Sequence, residues 1–172
     1  MEQPVHQLVQ LAREAIREYL EKREILRLPD KLNQESRERH GVFVCLKEKG
    51  KLRGCIGTYE PVTSCVAEEV IQNAICAAIR DPRFMPVTLS GLKEIDISVD
   101  ILNPPEPINS IHELDSKRYG VIVKSRGRCG LLLPDIEGVD TAEEQVEIAK
   151  EKAGIGPNEP VELFRFEVRR YG

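Results

Sequence analysis

Two runs of strand-forming residues, Val42 to Lys47 and Leu52 to Gly57, stand on either side of the polar tripeptide Glu48, Lys49, Gly50, and this spacing predicts a β-hairpin. The first arm is apolar on both faces, a pattern that suits a strand inside a sheet covered on both sides. The second arm reads Leu52, Arg53, Gly54, Cys55, Ile56, Gly57. It is expected on an inner strand as well, because so apolar a run at an exposed edge would invite pairing with other chains. Alternate strand residues share a face, which puts Arg53 and Cys55 on one side and Leu52 and Ile56 on the other. Two registers remain open. A turn over 48–50 sets Cys45 opposite Arg53 and Phe43 opposite Cys55, whereas a loop one residue shorter moves Cys45 to the face away from Cys55. Gly54 and Gly57 carry no Cβ and admit a close approach, by a ligand or by a neighbouring helix.

Elsewhere the periodicity is clear. Val5, Leu8, Val9, Ala12, Ala15, Ile16, Tyr19 and Leu20 recur at helical spacing, so a helix is expected over Val5 to Ile25, followed by a polar connection over 27–40. A second, mostly buried helix is expected from Ser64, as N-cap, to Arg80; Cys65, Glu69, Gln72, Asn73 and Cys76 fall on its one open stripe. Pro82 stops it, and Pro86 keeps Asp81 to Pro86 a stiff loop. Ile95, Ile97, Val99 and Ile101 alternate with polar residues, as in a strand with one wet face. A helical turn near Ile111 to Leu114 leads to a hairpin, Tyr119 to Lys124 and Arg128 to Leu133, turning at Gly127. Thr141 and Glu144 form a capping box for a helix to Ala153, with Gly154 just past its end, and Val161 to Arg169 is a last strand. No internal repeat is visible. Six strands and three main helices, unevenly interspersed, predict an α+β fold, mainly antiparallel sheet with flanking helices.

The 172 residues suit one domain, with room for a small inserted subdomain, and 41% hydrophobic with 31% charged residues is the balance of a folded, soluble chain. A net charge of -4 argues against wholesale binding of duplex DNA, whose affinity comes largely from neutralised phosphates. A basic cluster of Lys117, Arg118, Lys124, Arg126 and Arg128 surrounds the second hairpin and reads as a solvated charged turn or a local patch. Met1 to Leu11 lacks the charged-then-apolar pattern of a leader, and no stretch suits a membrane span, so a cytoplasmic protein is expected. Cys45, Cys55, Cys65, Cys76 and Cys129 include no Cys-x-x-Cys, which predicts free thiols and no metal centre. No cofactor motif is present: the chain has neither a Walker A loop nor a Gly-x-Gly-x-x-Gly run.

The hexapeptide Leu52 to Gly57, with Asp81, Pro82, Arg83, Phe84 downstream, then Leu133 and Pro134, and Lys152, Ala153, Gly154, resembles the motif series of the AMMECR family over nearly the whole chain. The resemblance implies two unequal subdomains around a cleft, with the hexapeptide near it, and no established reaction. It also implies association with radical SAM and Memo-type proteins, in a system that modifies RNA or a small molecule.

The residue chemistry adds its own candidates. A nucleophilic cysteine needs a stabilised thiolate; Arg53 stands two residues from Cys55, while the general base could be supplied only through the fold, by His40 or His112. The plainer reading of Cys55 is a packing thiol. An arginine on an inner strand needs an anion, which Asp81 or a ligand could supply, and Arg83 poses the same choice. The candidate ligand site is therefore Arg53, Gly54, Gly57, Asp81 and Arg83, with Cys55 as the candidate catalytic residue and a small anion or RNA-related molecule as the ligand. An enzyme component and a non-enzymatic adaptor that grips a peptide or protein both remain consistent with these residues.

Overall fold

A computed structural model describes residues 5–172. Residues 1–4, which begin the stretch read for a leader, lie outside the described residues. The chain forms two compact units, one of residues 5–102 with Arg169–Gly172, the other of residues 103–168. Together their helices and two four-stranded sheets make an α+β fold, and every strand pair whose register is resolved is antiparallel.

In the first unit, α1 (Gln7–Lys22) buries Leu8, Val9, Leu11, Ala12, Ala15 and Ile16, the stripe that its spacing predicts. His6 caps its start, its ring nitrogen accepting from Leu8 N–H. Part of the polar connection that follows is a single helical turn, α2 (Gln34–Arg37), capped by Asn33. Strands β1 (Gly41–Glu48) and β2 (Lys51–Thr58) form the expected hairpin; β3 (Ile95–Leu102) pairs with β1, and β8 (Val168–Tyr171) completes the sheet order β2-β1-β3-β8. α3 (Val66–Ile79) packs on the face formed by Val42, Val44 and Leu46 of β1, and α1 packs against α3 and β3.

β1 is an inner strand, as its apolar faces predict, but β2 is an edge strand, and the expectation of an inner position for the hexapeptide is corrected here. The register also departs from both alternatives. The turn has only two residues, Lys49 and Gly50, both at positive φ, the geometry whose twist matches paired strands. Pairing runs Glu48 with Lys51 and Lys47 with Leu52, then Leu46 with Gly54 and Cys45 with Cys55, so Arg53 has no partner and is a β-bulge. The extra residue shifts the later pairs by one and sets Cys45 directly opposite Cys55. It also breaks the alternation: Leu52 lies on the Cys55 face, not with Ile56.

The second unit has the strand order β4-β7-β5-β6, with β4 Glu106–Ile108, β5 Gly120–Ser125, β6 Arg128–Leu132 and β7 Glu162–Phe166. α4 (Ala142–Lys152) starts at the capping box of Thr141 and Glu144 and packs on β5 and β6 over Val121, Val123, Leu132, Val146 and Ala149. The expected last strand is broken at Glu167, so that β7 belongs to this sheet and β8 to the first.

The two units share a local plan that the sequence conceals. The β5–β6 turn, Arg126 and Gly127, again has both residues at positive φ. In each unit a glycine of the hairpin's second strand lies against the helix that follows. A Cβ on Gly54 would overlap the carbonyl oxygen of Ala77 in α3, and one on Gly130 would overlap that of Ala149 in α4. Only the absence of a side chain lets helix and strand approach so closely.

Candidate functional site

The site gathers at the outer edge of β2. A strand edge leaves backbone groups unpaired, and burying them without partners is costly. Here the loop after α3 supplies the partners with side chains. Asp81 Oδ2 accepts the Cys55 N–H at 3.0 Å, and Arg83 Nη2 donates to the Cys55 carbonyl at 3.3 Å. Asp81 is saturated, for it also accepts Arg83 Nε at 3.0 Å, Arg83 Nη2 at 2.7 Å and the Arg83 backbone N–H at 3.1 Å. The Asp81 side chain is 2% exposed and that of Arg83 53%. The guanidinium bond holds the Asp81 carboxyl well below the ordinary carboxylate range and raises Arg83 in turn. Arg83 also lies over the Phe84 ring, 5.3 Å from its centroid.

Arg53 reaches the same loop from the bulge. Its Nη1 donates to the Met85 carbonyl at 2.6 Å and its Nη2 to the Pro86 carbonyl at 3.4 Å. The loop is closed on itself by Phe84 N–H to Asp81 O and Val87 N–H to Ala78 O, in keeping with the stiffness that its prolines imply. Asp81 thus pairs with Arg83 and not with Arg53. Among the described residues no carboxylate lies within ion-pair distance of Arg53, whose guanidinium donates to two backbone carbonyls.

The remaining sequence candidates fall as follows. Gly54 is filled from behind by α3 and Gly57 is covered by the Phe43 ring, so the close approaches that these glycines allow are made by the protein itself. Cys55 is half-buried and joined to Cys45 by a disulfide, with Cα atoms 4.1 Å apart. The expectation that all five cysteines are free is therefore corrected for this pair, and Cys55 can act as a nucleophile only when reduced. Cys65, Cys76 and Cys129 are free. His40 is engaged elsewhere, with Leu102 O at 3.0 Å and Glu38 Oε2 at 3.2 Å, and His112 lies on an exposed turn of the second unit. In the basic cluster, Lys117 pairs with Asp140, Arg118 with Glu167 and Arg128 with Glu159.

Sequence reasoning missed two residues of α3. Glu69 and Asn73, assigned by helical spacing to the open stripe, are buried. Glu69 accepts from the Thr58 and Thr63 hydroxyls, both at 2.6 Å, and from the Val62 and Thr63 N–H groups at 3.1 and 3.0 Å. Asn73 donates to Val42 O and Thr58 Oγ1. Glu69 holds the loop from β2 to α3 over that stripe, Asn73 ties α3 to β1 and to the end of β2, and Thr58 and Thr63 were the available signal.

This fold and this edge site define a two-unit α+β protein in which a hairpin edge is capped by an Asp-x-Arg loop. The model of the AMMECR1 family matches residues 9–171, and the chain belongs to that family. It is 50% identical over 169 residues to a protein of Thermotoga maritima, covering 96% of this chain and 97% of that one. It is also 50% identical over 165 residues to a protein of Clostridium acetobutylicum, covering 95% of this chain but only 35% of that longer relative. The crystal structure of an uncharacterised protein from Pyrococcus horikoshii matches with a TM-score of 0.88 at 34% identity, over 95% of this chain and 88% of that one. No helix among the described residues is long and apolar enough to cross a membrane.

Proposed function

We propose that the protein binds a small phosphate- or carboxylate-bearing ligand at the outer edge of β2, with Arg53 as its principal partner and Arg83 as a second cation. One observation carries this reading: Arg53 is fixed by two carbonyls of a stiff loop and has no carboxylate partner among the described residues, so its charge and its remaining N–H groups are unspent. A guanidinium held in place by neutral acceptors is preorganised for a bidentate anion. Arg83, half-exposed, is already neutralised by Asp81 and contributes direction more than net charge. In the wider reading the ligand is RNA-related or a small molecule, and the protein serves a modification system with radical SAM and Memo-type partners.

The test is titration with inorganic phosphate and with a short oligoribonucleotide, followed by nuclear magnetic resonance at low and high salt. Binding should weaken with salt, and Arg53→Lys, which keeps the charge and loses the fork, should weaken it by about tenfold or more. Absence of binding by both probes, or an unchanged affinity in Arg53→Lys, rejects the reading. An adaptor role is favoured by a separate observation, the exposure of Leu52 (42%), which precedes Arg53, and of Met85 (79%), whose carbonyl Arg53 binds. On that reading, replacing these two apolar side chains by serine would abolish capture of a protein partner and leave phosphate binding intact.

A further inference from the structure

We infer that Cys45 and Cys55 form a reversible two-electron thiol/disulfide couple that exchanges with a dithiol reductant, an activity separate from anion binding. The two residues are directly opposed across β1 and β2. Both outward backbone groups of Cys55 bond to Asp81 and Arg83 rather than to β1, so the pair occupies a non-hydrogen-bonded position, where antiparallel strands bring side chains closest. The strand pairing therefore holds the two sulfurs together in either redox state, and neither oxidation nor reduction requires the backbone to move.

The bridge is poorly placed to act as a staple. It spans ten residues of a hairpin already closed by a two-residue turn and by strand pairing on both sides of the bridge. A crosslink contributes most when it closes a long loop that nothing else closes. The bulge at Arg53 is what creates the pairing, for without the extra residue Cys45 would oppose Gly54. β2 is moreover an edge strand, and both cysteines are half-buried rather than sealed in the core.

In the exchange, a thiolate of the reductant attacks one sulfur of the bridge, and the other leaves as a thiolate and takes a proton. The reductant's second thiol then attacks the mixed disulfide and releases the second cysteine. The net change converts the reductant dithiol to its disulfide and the bridge to two thiols, so two electrons and two protons pass to the protein.

The full chain, folded, is equilibrated in graded dithiothreitol buffers, and free thiols are trapped by alkylation and located by mass spectrometry. Cys45 and Cys55 should become alkylatable together, while the far-ultraviolet spectrum stays that of the folded protein. Cys45→Ser should leave Cys55 alkylatable in every buffer, and Cys129→Ser, at an exposed free cysteine, should not move the transition. The inference is overturned if the pair remains bridged in excess dithiothreitol until the protein unfolds. It is equally overturned if both thiols stay alkylatable in excess oxidised dithiothreitol.

Discussion

Asp81 is gripped by Arg83 through both carboxylate oxygens, at 3.0 Å to Nε and 2.7 Å to Nη2, while the same carboxylate accepts the Cys55 N–H across the edge of the first sheet. A charged pair on a loop thereby supplies the acceptor and the donor that a further strand would have supplied.

Asp81→Asn should destabilise the protein by about 1–3 kcal/mol at neutral pH, the range for hydrogen bonds to charged groups, with the exposed side of Arg83 limiting the loss. Because the folded carboxyl titrates below its unfolded value of about 3.9, its contribution is complete above that value and is lost as pH falls through the folded one. The difference in urea midpoint between wild type and variant should therefore shrink below about pH 4. A difference that holds constant down to pH 2 would refute this account.

Gly54→Val and Gly130→Ala each place a Cβ into a helix carbonyl. Since backbone cannot yield as a flexible side chain can, each should cost at least the ~1–3 kcal/mol typical of overpacking. Chemical denaturation measures both, and an unchanged midpoint for Gly54→Val would mean that helix and strand are not in contact there.

Glu69→Gln replaces one acceptor oxygen of a 1%-exposed carboxylate by an NH₂ that faces existing donors. A loss of about 2 kcal/mol is expected, from weakened charge-assisted bonds and one unsatisfied donor. Hydrogen exchange should accelerate locally over residues 58–64. Uniform acceleration across the unit would argue that Glu69 supports the whole core instead.

Asp100 is buried on β3 and receives both ends of the Arg170 guanidinium from β8, at 2.7 Å each. Arg170→Met should loosen β8 by leaving that carboxylate without its cation. A cost of about 1–3 kcal/mol follows from the lost charged hydrogen bonds. Thermal unfolding of wild type and variant measures it, and an unchanged midpoint would mean that the pair does not hold β8 in place.

Periodicity made the helices and the second hairpin legible, and capping the start of α4 at Thr141 with Glu144, with Gly154 at positive φ beyond its end; at α3 the expected cap Ser64 gives way to Cys65, which makes no side-chain cap. The β1–β2 register was not legible, because one unpaired residue at Arg53 reverses the face of everything before it and no local pattern marks a bulge. The edge position of β2 was misread for a related reason: the apolar argument assumes that an edge is covered by another strand, whereas Asp81 and Arg83 cover it with side chains. Glu69 and Asn73 escaped because helical spacing reports polarity, and a polar residue can be buried when a neighbouring loop provides its partners. The motif residues Arg53, Asp81 and Arg83 do meet at one loop, but Asp81 settles on the arginine two positions away, a local pairing that costs the chain little entropy to form.

β8 is the last strand in the sequence and yet belongs to the first sheet. During synthesis all of residues 103–168 leave the ribosome before Arg169 to Tyr171 can dock beside β3. The unit begun first is thus finished last, and until then β3 presents an unpaired flank open to mispairing.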